Sequence, residues 1–253
     1  MILEAKDIYK SYYGETFLGR RTGRVDALKG INFSIKKGEI LGVVGESGSG
    51  KSTLAKIICG LQKPTSGKII WGKEFPERKR AQMVFQNPAG SLNPKLTVGY
   101  ALKEALGAGS FCRAGTVKEN EIRELLSKVG LSKIDIKNYP YQFSGGQQQR
   151  IAIARALAMK PKLLICDEPV SALDISIQAQ VINLIKKINK QEGLPIIFIA
   201  HDIEVIDIIS HNIIVMNKGR IAERGDCGQI INKPRRTYTK KLIEAVPVNP
   251  YYP

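Results

Sequence analysis

At 253 residues, 43% hydrophobic and 25% charged, the chain has the composition of a folded protein large enough to bury a proper core. No apolar run approaches the ~18 residues of a bilayer-spanning helix, and the opening Met1-Ile2-Leu3-Glu4-Ala5-Lys6-Asp7 lacks the basic-then-apolar pattern of a secretory signal, so a cytoplasmic protein is expected. The net charge of +16 admits nucleic acid, an anionic membrane surface, nucleotide phosphates or a plain solvated surface; the scattered basic residues and few aromatics offer no base-stacking platform.

The first ~40 residues read as extended segments around a Gly/Arg-rich loop at Gly14–Gly23. Glu39–Val44 is a β-branched run bounded by charge and glycine, as a strand is. It leads into Gly45-Glu46-Ser47-Gly48-Ser49-Gly50-Lys51-Ser52-Thr53, a complete G-x-x-x-x-G-K-[ST] phosphate loop. Glycines let successive N–H groups turn inward around phosphate oxygens, and the helix expected from Ser52 adds its positive end. Lys51 is placed to reach the β- and γ-phosphates, and the Ser52 hydroxyl to bind Mg²⁺.

Further strands are expected at Lys68–Trp71 and Gln82–Phe85. From about Asn87 to Met159 no strand pattern occurs. There Ile122, Leu125, Leu126 and Val129 repeat at helical spacing, with Gly130 as a C-terminal cap. Phe143-Ser144-Gly145-Gly146-Gln147-Gln148-Gln149-Arg150 then precedes a helical run. Ser144 is a good N-cap, and two glycines expose N–H groups at a helix start, which makes a second anion site. One chain cannot easily bring two such sites in different lobes to one nucleotide; two chains facing head to tail can.

Leu163–Cys166 is an apolar strand that ends in Asp167-Glu168-Pro169. Asp167 suits Mg²⁺, held partly through water, and Glu168 is next in line to polarise an attacking water. Val181, Ile182, Leu184, Ile185 and Ile188 mark another helix ending near Gly193, and strands follow at Pro195–Ala200 and Asn212–Met216. Strands alternating with helices argue for an α/β protein with a largely parallel sheet. Cys59, Cys112, Cys166 and Cys227 form no metal-ligand cluster and read as buried thiols.

The phosphate loop, the Ser144–Gln147 segment and the acidic pair, in this order and spacing, resemble the ABC (ATP-binding cassette) ATPase family over nearly the whole chain. Phe143 departs from the usual leucine of its signature without touching the phosphate-contacting positions. The resemblance implies a P-loop NTPase (RecA-like) core with an N-terminal antiparallel β subdomain and an inserted α-helical subdomain. One ABC ATPase domain would span 1–253, with 1–88 and 160–253 as β region and core, and 89–159 as the helical subdomain. It implies that Ser144, Gly145, Gly146 and Gln147 meet the ATP of the opposite subunit and that Gln86 touches Mg²⁺ and the attacking water. It further implies that Asp174, closing Ser171-Ala172-Leu173-Asp174, crosses the dimer interface and that His201 contacts the γ-phosphate. Tyr12 or Tyr13 would stack on adenine; the offset after Asp7-Ile8 favours Tyr12.

Asn87-Pro88-Ala89-Gly90-Ser91-Leu92-Asn93-Pro94, Tyr139-Pro140-Tyr141-Gln142 and Lys233-Pro234-Arg235-Arg236-Thr237-Tyr238 to Pro247 resemble the peptide and nickel importer branch. Arg236 and Thr237 stand where His and Pro are common in that branch. The implied machine has ATP and Mg²⁺ as cofactors and works at the cytoplasmic face of the membrane. Its partners would be two transmembrane permease subunits, a second related ATPase and, indirectly, an extracytoplasmic binding protein, with no nucleic acid. A soluble nucleic-acid-associated or assembly-scaffold ABC ATPase is the alternative.

Overall fold

The computed structural model describes residues 1–15, 21–72, 81–109 and 117–245. In chain order it begins with β1 (Leu3–Glu15), β2 (Arg21–Ile35), β3 (Ile40–Val44), α1 (Lys51–Ile58), β4 (Ser66–Trp71) and β5 (Ala81–Val84). Helices α2 (Pro88–Ser91), α3 (Val98–Gly109), α4 (Glu119–Lys128) and α5 (Gly145–Ala158) come next, then β6 (Leu163–Asp167) and α6 (Ile175–Glu192). The chain closes with β7 (Ile196–Ile199), α7 (Ile203–Ile209), β8 (Asn212–Asn217), β9 (Arg220–Asp226), α8 (Cys227–Asn232) and α9 (Thr237–Glu244). Two compact units divide it: Met1–Lys73 with Pro195–Pro253, and Glu74–Leu194.

The first unit carries an antiparallel sheet of order β2-β1-β4. It buries Leu3, Ala5, Ile8, Ile31, Phe33 and Ile35. The same unit carries β3 between β7 and β8, parallel to both, with β9 antiparallel on β8. Every residue of β3 and β7 is buried, which explains their uninterrupted apolar runs: a parallel strand covered on both faces has no polar side to show. β9 is the reverse case, an edge strand whose exposed Arg220 and Arg224 discourage further pairing.

In the second unit β5 and β6 pair in parallel, and α5 is the central helix. Ile151, Ala152, Ile153, Ala154, Ala156, Leu157 and Ala158 are all buried in it, so this helix is apolar nearly all round and α2, α3, α4 and α6 pack on it. Gly193, at φ 61°, closes α6 in the left-handed conformation that glycine adopts without penalty. The unit contains the segment 89–159 together with β5, β6 and α6.

The expected α/β architecture is present, and each expected strand appears with its ends moved by no more than two residues. Two readings change. The Gly14–Gly23 segment is not simply a loop: cross-strand pairing of Gly14 with Thr22 and Glu15 with Arg21 carries the hairpin into it, while residues 16–20 lie outside the described residues. β9 gave no strand signal because an edge strand of Arg-Ile-Ala-Glu-Arg-Gly-Asp buries too little to need an apolar face. Of the thiols, Cys166 and Cys227 are buried as expected, whereas Cys59 is only half-buried, though desolvation still pushes its thiol up to about 12; Cys112 lies outside the described residues.

Candidate functional site

The buried β3 delivers the chain to Gly45, and α1 starts at Lys51. Gly50, the N-cap, sits at φ 105°, and a Cβ there would lie 2.5 Å from the carbonyl oxygen of Ala27. A Cβ on Gly45 would lie 2.2 Å from the carbonyl oxygen of Met216. The first and last glycines of the loop are therefore required by the backbones of the β2 and β8 segments, which press on it. Ser49 N–H donates to the Glu46 carbonyl at 3.1 Å, and the Ser49 carbonyl accepts from Gly219 N–H at 3.1 Å. Lys51 is only 5% exposed, and its ammonium donates to the carbonyls of Gly45 (2.6 Å) and Glu46 (3.0 Å). Its charge is thereby held inside the loop it belongs to. No acidic residue stands in the first turn of α1, so nothing there offsets the helix's positive end; Ser52 is exposed and Thr53 half-buried beside it.

Tyr12 pairs across the hairpin with Val25, and Tyr13 with Arg24. Consecutive strand residues point to opposite faces. Tyr12 is the one whose hydroxyl donates to Gln62 Oε1 at 2.7 Å, in the segment that follows α1. Lys10 Nζ lies 5.2 Å from the Tyr12 ring centroid and donates to the Lys63 carbonyl at 2.9 Å, backing one face of the ring. In the same unit His201 is exposed just after β7, ahead of Asp202, whose carboxylate caps α7 by accepting from Glu204 N–H at 2.8 Å. The other histidine, His211, is structural: its Nδ1 accepts the Ile40 N–H at 2.9 Å and fixes the start of β3.

In the second unit, register assembles the acidic group. Val84 of β5 is opposite Cys166 of β6, so Gln86 and Glu168 each emerge two residues beyond the last pair. Gln86 Nε2 donates to Glu168 Oε2 at 3.0 Å and to Ser171 Oγ at 3.2 Å, and Ser171 Oγ donates back to the Glu168 carbonyl at 3.2 Å. Asp167, the last residue of β6, is 8% exposed. Glu168 stands at φ 48°, a left-handed backbone that a non-glycine residue adopts at a cost of about 1–3 kcal/mol and that clusters at functional positions.

Ser144 caps α5 reciprocally: its hydroxyl accepts from Gln147 N–H at 3.4 Å, and Gln147 Oε1 accepts from Ser144 N–H at 3.0 Å. Gly145 is exposed and Gly146 buried. A Cβ on Gly146 would lie 2.4 Å from Ile177 Cγ2, so the Ser-Gly-Gly turn packs directly on the first turn of α6, whose N-cap is the exposed Asp174. A cavity of about 550 Å³ in this unit is lined by Met83, Phe85, Ser91, Glu104, Arg155 and Met159, with Arg155 donating to the Ser91 carbonyl at 2.6 Å.

Apart from Tyr12, which lies within β1, each expected site residue falls at a strand end, a helix start or a glycine turn. Sequence reasoning missed Gln62 and Lys10 around Tyr12 and Ser171 beside Glu168. It also missed Tyr238, whose hydroxyl accepts the Glu46 N–H of the phosphate loop at 3.3 Å. No spacing signal links positions 192 residues apart.

Residues 28–171 match the model of the ABC transporter family. The chain is 45% identical over 258 residues to the oligopeptide transport ATP-binding protein OppF of Lactococcus lactis, covering 97% of this chain and 80% of that protein. It is 42% identical to OppF of Escherichia coli, covering 98% and 78%. Among solved structures it resembles the dimeric post-hydrolysis state of an ATP-binding cassette bound to ADP and Pi (TM-score 0.73, 32% identity, 89% of this chain and 99% of that one). It also resembles cbiO1 from Clostridium perfringens, part of the ABC transporter complex cbiONQ (TM-score 0.73, 30% identity, 92% and 91%).

Proposed function

The chain belongs to the ABC transporter family, and from that premise we propose that it is the ATP-hydrolysing subunit of an oligopeptide importer, working as one half of a head-to-tail ATPase pair. The observation that carries the reaction is the Gln86–Glu168 pair, hydrogen-bonded at 3.0 Å beyond the ends of two parallel strands, in a chain that also has a complete phosphate loop. Peptide uptake rests on the OppF relatives, named as oligopeptide transport ATP-binding proteins. Those names favour peptides over nickel, and none of them points to nucleic acid.

The phosphates of ATP would lie against Gly45–Thr53, drawing Lys51 Nζ off the carbonyls of Gly45 and Glu46 toward the β- and γ-phosphates. Tyr12, with one face backed by Lys10, offers its other face to adenine. Glu168, oriented by Gln86, accepts the proton of the attacking water, and His201 steadies the γ-phosphate. The Ser52 hydroxyl, Gln86 amide and Asp167 carboxylate are hard oxygen donors with a single charge among them, which fits Mg²⁺, an ion that keeps waters and takes its other ligands from phosphate. Bound there, Mg²⁺ would neutralise phosphate charge and fix its geometry.

Ser144, Gly145, Gly146, Gln147 and Asp174 complete the partner subunit's site rather than their own. Closure is then favoured only when a γ-phosphate is present for them to grip. The segment 89–159 acts as the moving helical lobe, and the cavity between Phe85, Glu104 and Arg155 is where a permease segment docks at the cytoplasmic face of the membrane.

The test is a Glu168→Gln pull-down from solubilised membranes with Mg-ATP, alongside phosphate-release kinetics. The expected outcome is retained ATP binding, turnover reduced by about 10²–10⁴-fold, and co-purification of two polytopic membrane proteins with a second ATPase. Near-normal turnover overturns the role of Glu168; recovery of only soluble or nucleic-acid-bound partners overturns transport.

A further inference from the structure

A second cavity, of about 450 Å³, lies in the first unit between β2, β9 and the start of α9. Among the described residues, Lys29, Arg220, Arg224, Arg235 and Arg236 line it against one carboxylate, Glu223. That carboxylate is already engaged, accepting the N–H groups of Arg235 (2.9 Å) and Arg236 (3.1 Å). Partial burial works to raise its pKa, yet the Thr239 hydroxyl, these two N–H groups and the charge of Arg235 together lower it. Glu223 therefore builds the cavity wall by tying the start of α9 to β9, and among the described residues the lining carries five cations to this single anion.

The choice of cation is informative. The whole chain has 26 Lys and 13 Arg, whereas four of the five cations here are Arg. A guanidinium presents a planar fork of donors that matches phosphate oxygens, which a lysine point charge does not. Arg224 is held in the lining, its Nη1 donating to the carbonyl of Asn32, another lining residue, at 2.9 Å. The volume falls within the roughly 300–1,000 Å³ of small-ligand sites.

The cavity is also wired to the phosphate loop. Lys29 N–H donates to the Gly219 carbonyl at 2.7 Å, Gly219 N–H donates to the Ser49 carbonyl at 3.1 Å, and Arg220 is the next residue. On the other side Arg236 is the N-cap of α9, and Tyr238, within its first turn, holds the Glu46 N–H at 3.3 Å. We propose that this cavity is a second anion site, distinct from the ATP site, which takes a phosphate-bearing group and is linked through Gly219 and Tyr238 to the affinity of the phosphate loop. The group is either a free phosphate compound or the headgroup of an anionic phospholipid. The linkage rests on the reading of Gly45–Thr53 as the ATP site; the anion site does not.

The test uses the Lys51→Ala chain, with and without Arg220→Ser and Arg236→Ser. Inorganic pyrophosphate is titrated by calorimetry, and vesicles of phosphatidylcholine with or without phosphatidylglycerol are tested by flotation. Loss of the two arginines should weaken one ligand by at least about tenfold, with an affinity that falls as salt rises. Loss confined to pyrophosphate identifies a free phosphate compound, and loss confined to phosphatidylglycerol vesicles identifies a lipid headgroup. Equal binding by both chains in both arms overturns the site. The Arg220→Lys/Arg236→Lys pair, which keeps the charge without the fork, should lie between the two chains. The thermal midpoint and far-ultraviolet circular dichroism of the Arg220→Ser/Arg236→Ser chain, unchanged from the parent, are the fold control, whereas failure of the parent chain to bind ATP would overturn the ATP reading and leave the anion site standing. In the parent chain, the anion's effect on ATP affinity should differ by about fivefold from its effect in Tyr238→Phe; equal effects overturn the linkage.

Discussion

Gly48 and Gly50 both lie in the phosphate loop at positive φ (77° and 105°), yet the motif demands only the second. An added methyl group tells them apart. At Gly48 a Cβ meets nothing within 4 Å, so Gly48→Ala carries only the left-handed penalty of roughly 1–2 kcal/mol. At Gly50 the Cβ would fall 2.5 Å from the Ala27 carbonyl oxygen, 2.9 Å from Leu28 Cδ2 and 3.3 Å from Met216 Cε. The first of these is backbone and cannot rotate away. Overpacking adds about 1–3 kcal/mol, bringing Gly50→Ala to roughly 2–5 kcal/mol. The reduced freedom of the unfolded chain, about 0.4–1 kcal/mol, is common to both and cancels in the comparison. In a chain of this size each kcal/mol lowers Tm by about 2–4 °C, so Gly50→Ala should melt several degrees below Gly48→Ala. The two variants would be compared by thermal and urea unfolding, with ATP titration in parallel. ATP binding should survive in Gly48→Ala and fail in Gly50→Ala. Equal destabilisation would refute the claim that the neighbouring backbone, rather than backbone dihedral alone, fixes the motif's last glycine.

Four further outcomes are expected. Tyr12→Ala should weaken ATP binding by about 1–3 kcal/mol in a nucleotide titration while Tyr13→Ala leaves it nearly unchanged, since stacking is lost only from the ring that faces the base. Ser144→Ala should lower stability to urea by about 1 kcal/mol through loss of the α5 cap, and should weaken nucleotide-dependent dimerisation seen by light scattering. Glu223 is depressed below its ordinary 4.5, so its stabilisation is complete above that value and is lost as pH falls through the lower folded-state pKa. The urea midpoints of the parent and Glu223→Gln should therefore differ near neutrality and converge in acid. Glu168→Gly, which relieves the strain at φ 48°, should be at least as stable as the parent by thermal unfolding while losing hydrolysis.

The parts of the site legible in the sequence are those where local chemistry and local geometry coincide. A Gly-x-x-x-x-Gly-Lys-Ser run needs no distant information to be a phosphate cradle, and Ser144 followed by Gln147 specifies its own capping box. Gln86 and Glu168 were each legible at a strand end, but their hydrogen bond depends on the Val84–Cys166 register, which no local pattern encodes. Tyr12 was favoured over Tyr13 by its offset alone, because adjacent strand residues have the same composition signal and opposite faces; the contacts of Gln62 and Lys10 belong to Tyr12 and could not be read from the sequence. β9 and the basic cavity beside it were hidden because exposed edges obey no hydrophobic period. The net charge was visible from the start; where it concentrates was not.

Glu168 shows why such a site is built on a stable strand end. β6 is buried throughout, and Pro169 and Val170 are buried immediately after it. The chain is thus held firmly on both sides of Glu168, which occupies a left-handed backbone. Simple strand alternation would decide where the Glu168 carboxylate points; the φ 48° turn overrides it and leaves the carboxylate on the Gln86 amide. A looser strand would relax the turn and lose the orientation. The same logic governs Lys51, whose buried ammonium is tolerable because two carbonyls of its own loop receive it. In both cases the surrounding packing sustains a local arrangement that the residue would not adopt alone; on the proposed reading it orients the Glu168 carboxylate in advance, whereas Lys51 has still to leave its two carbonyls for phosphate.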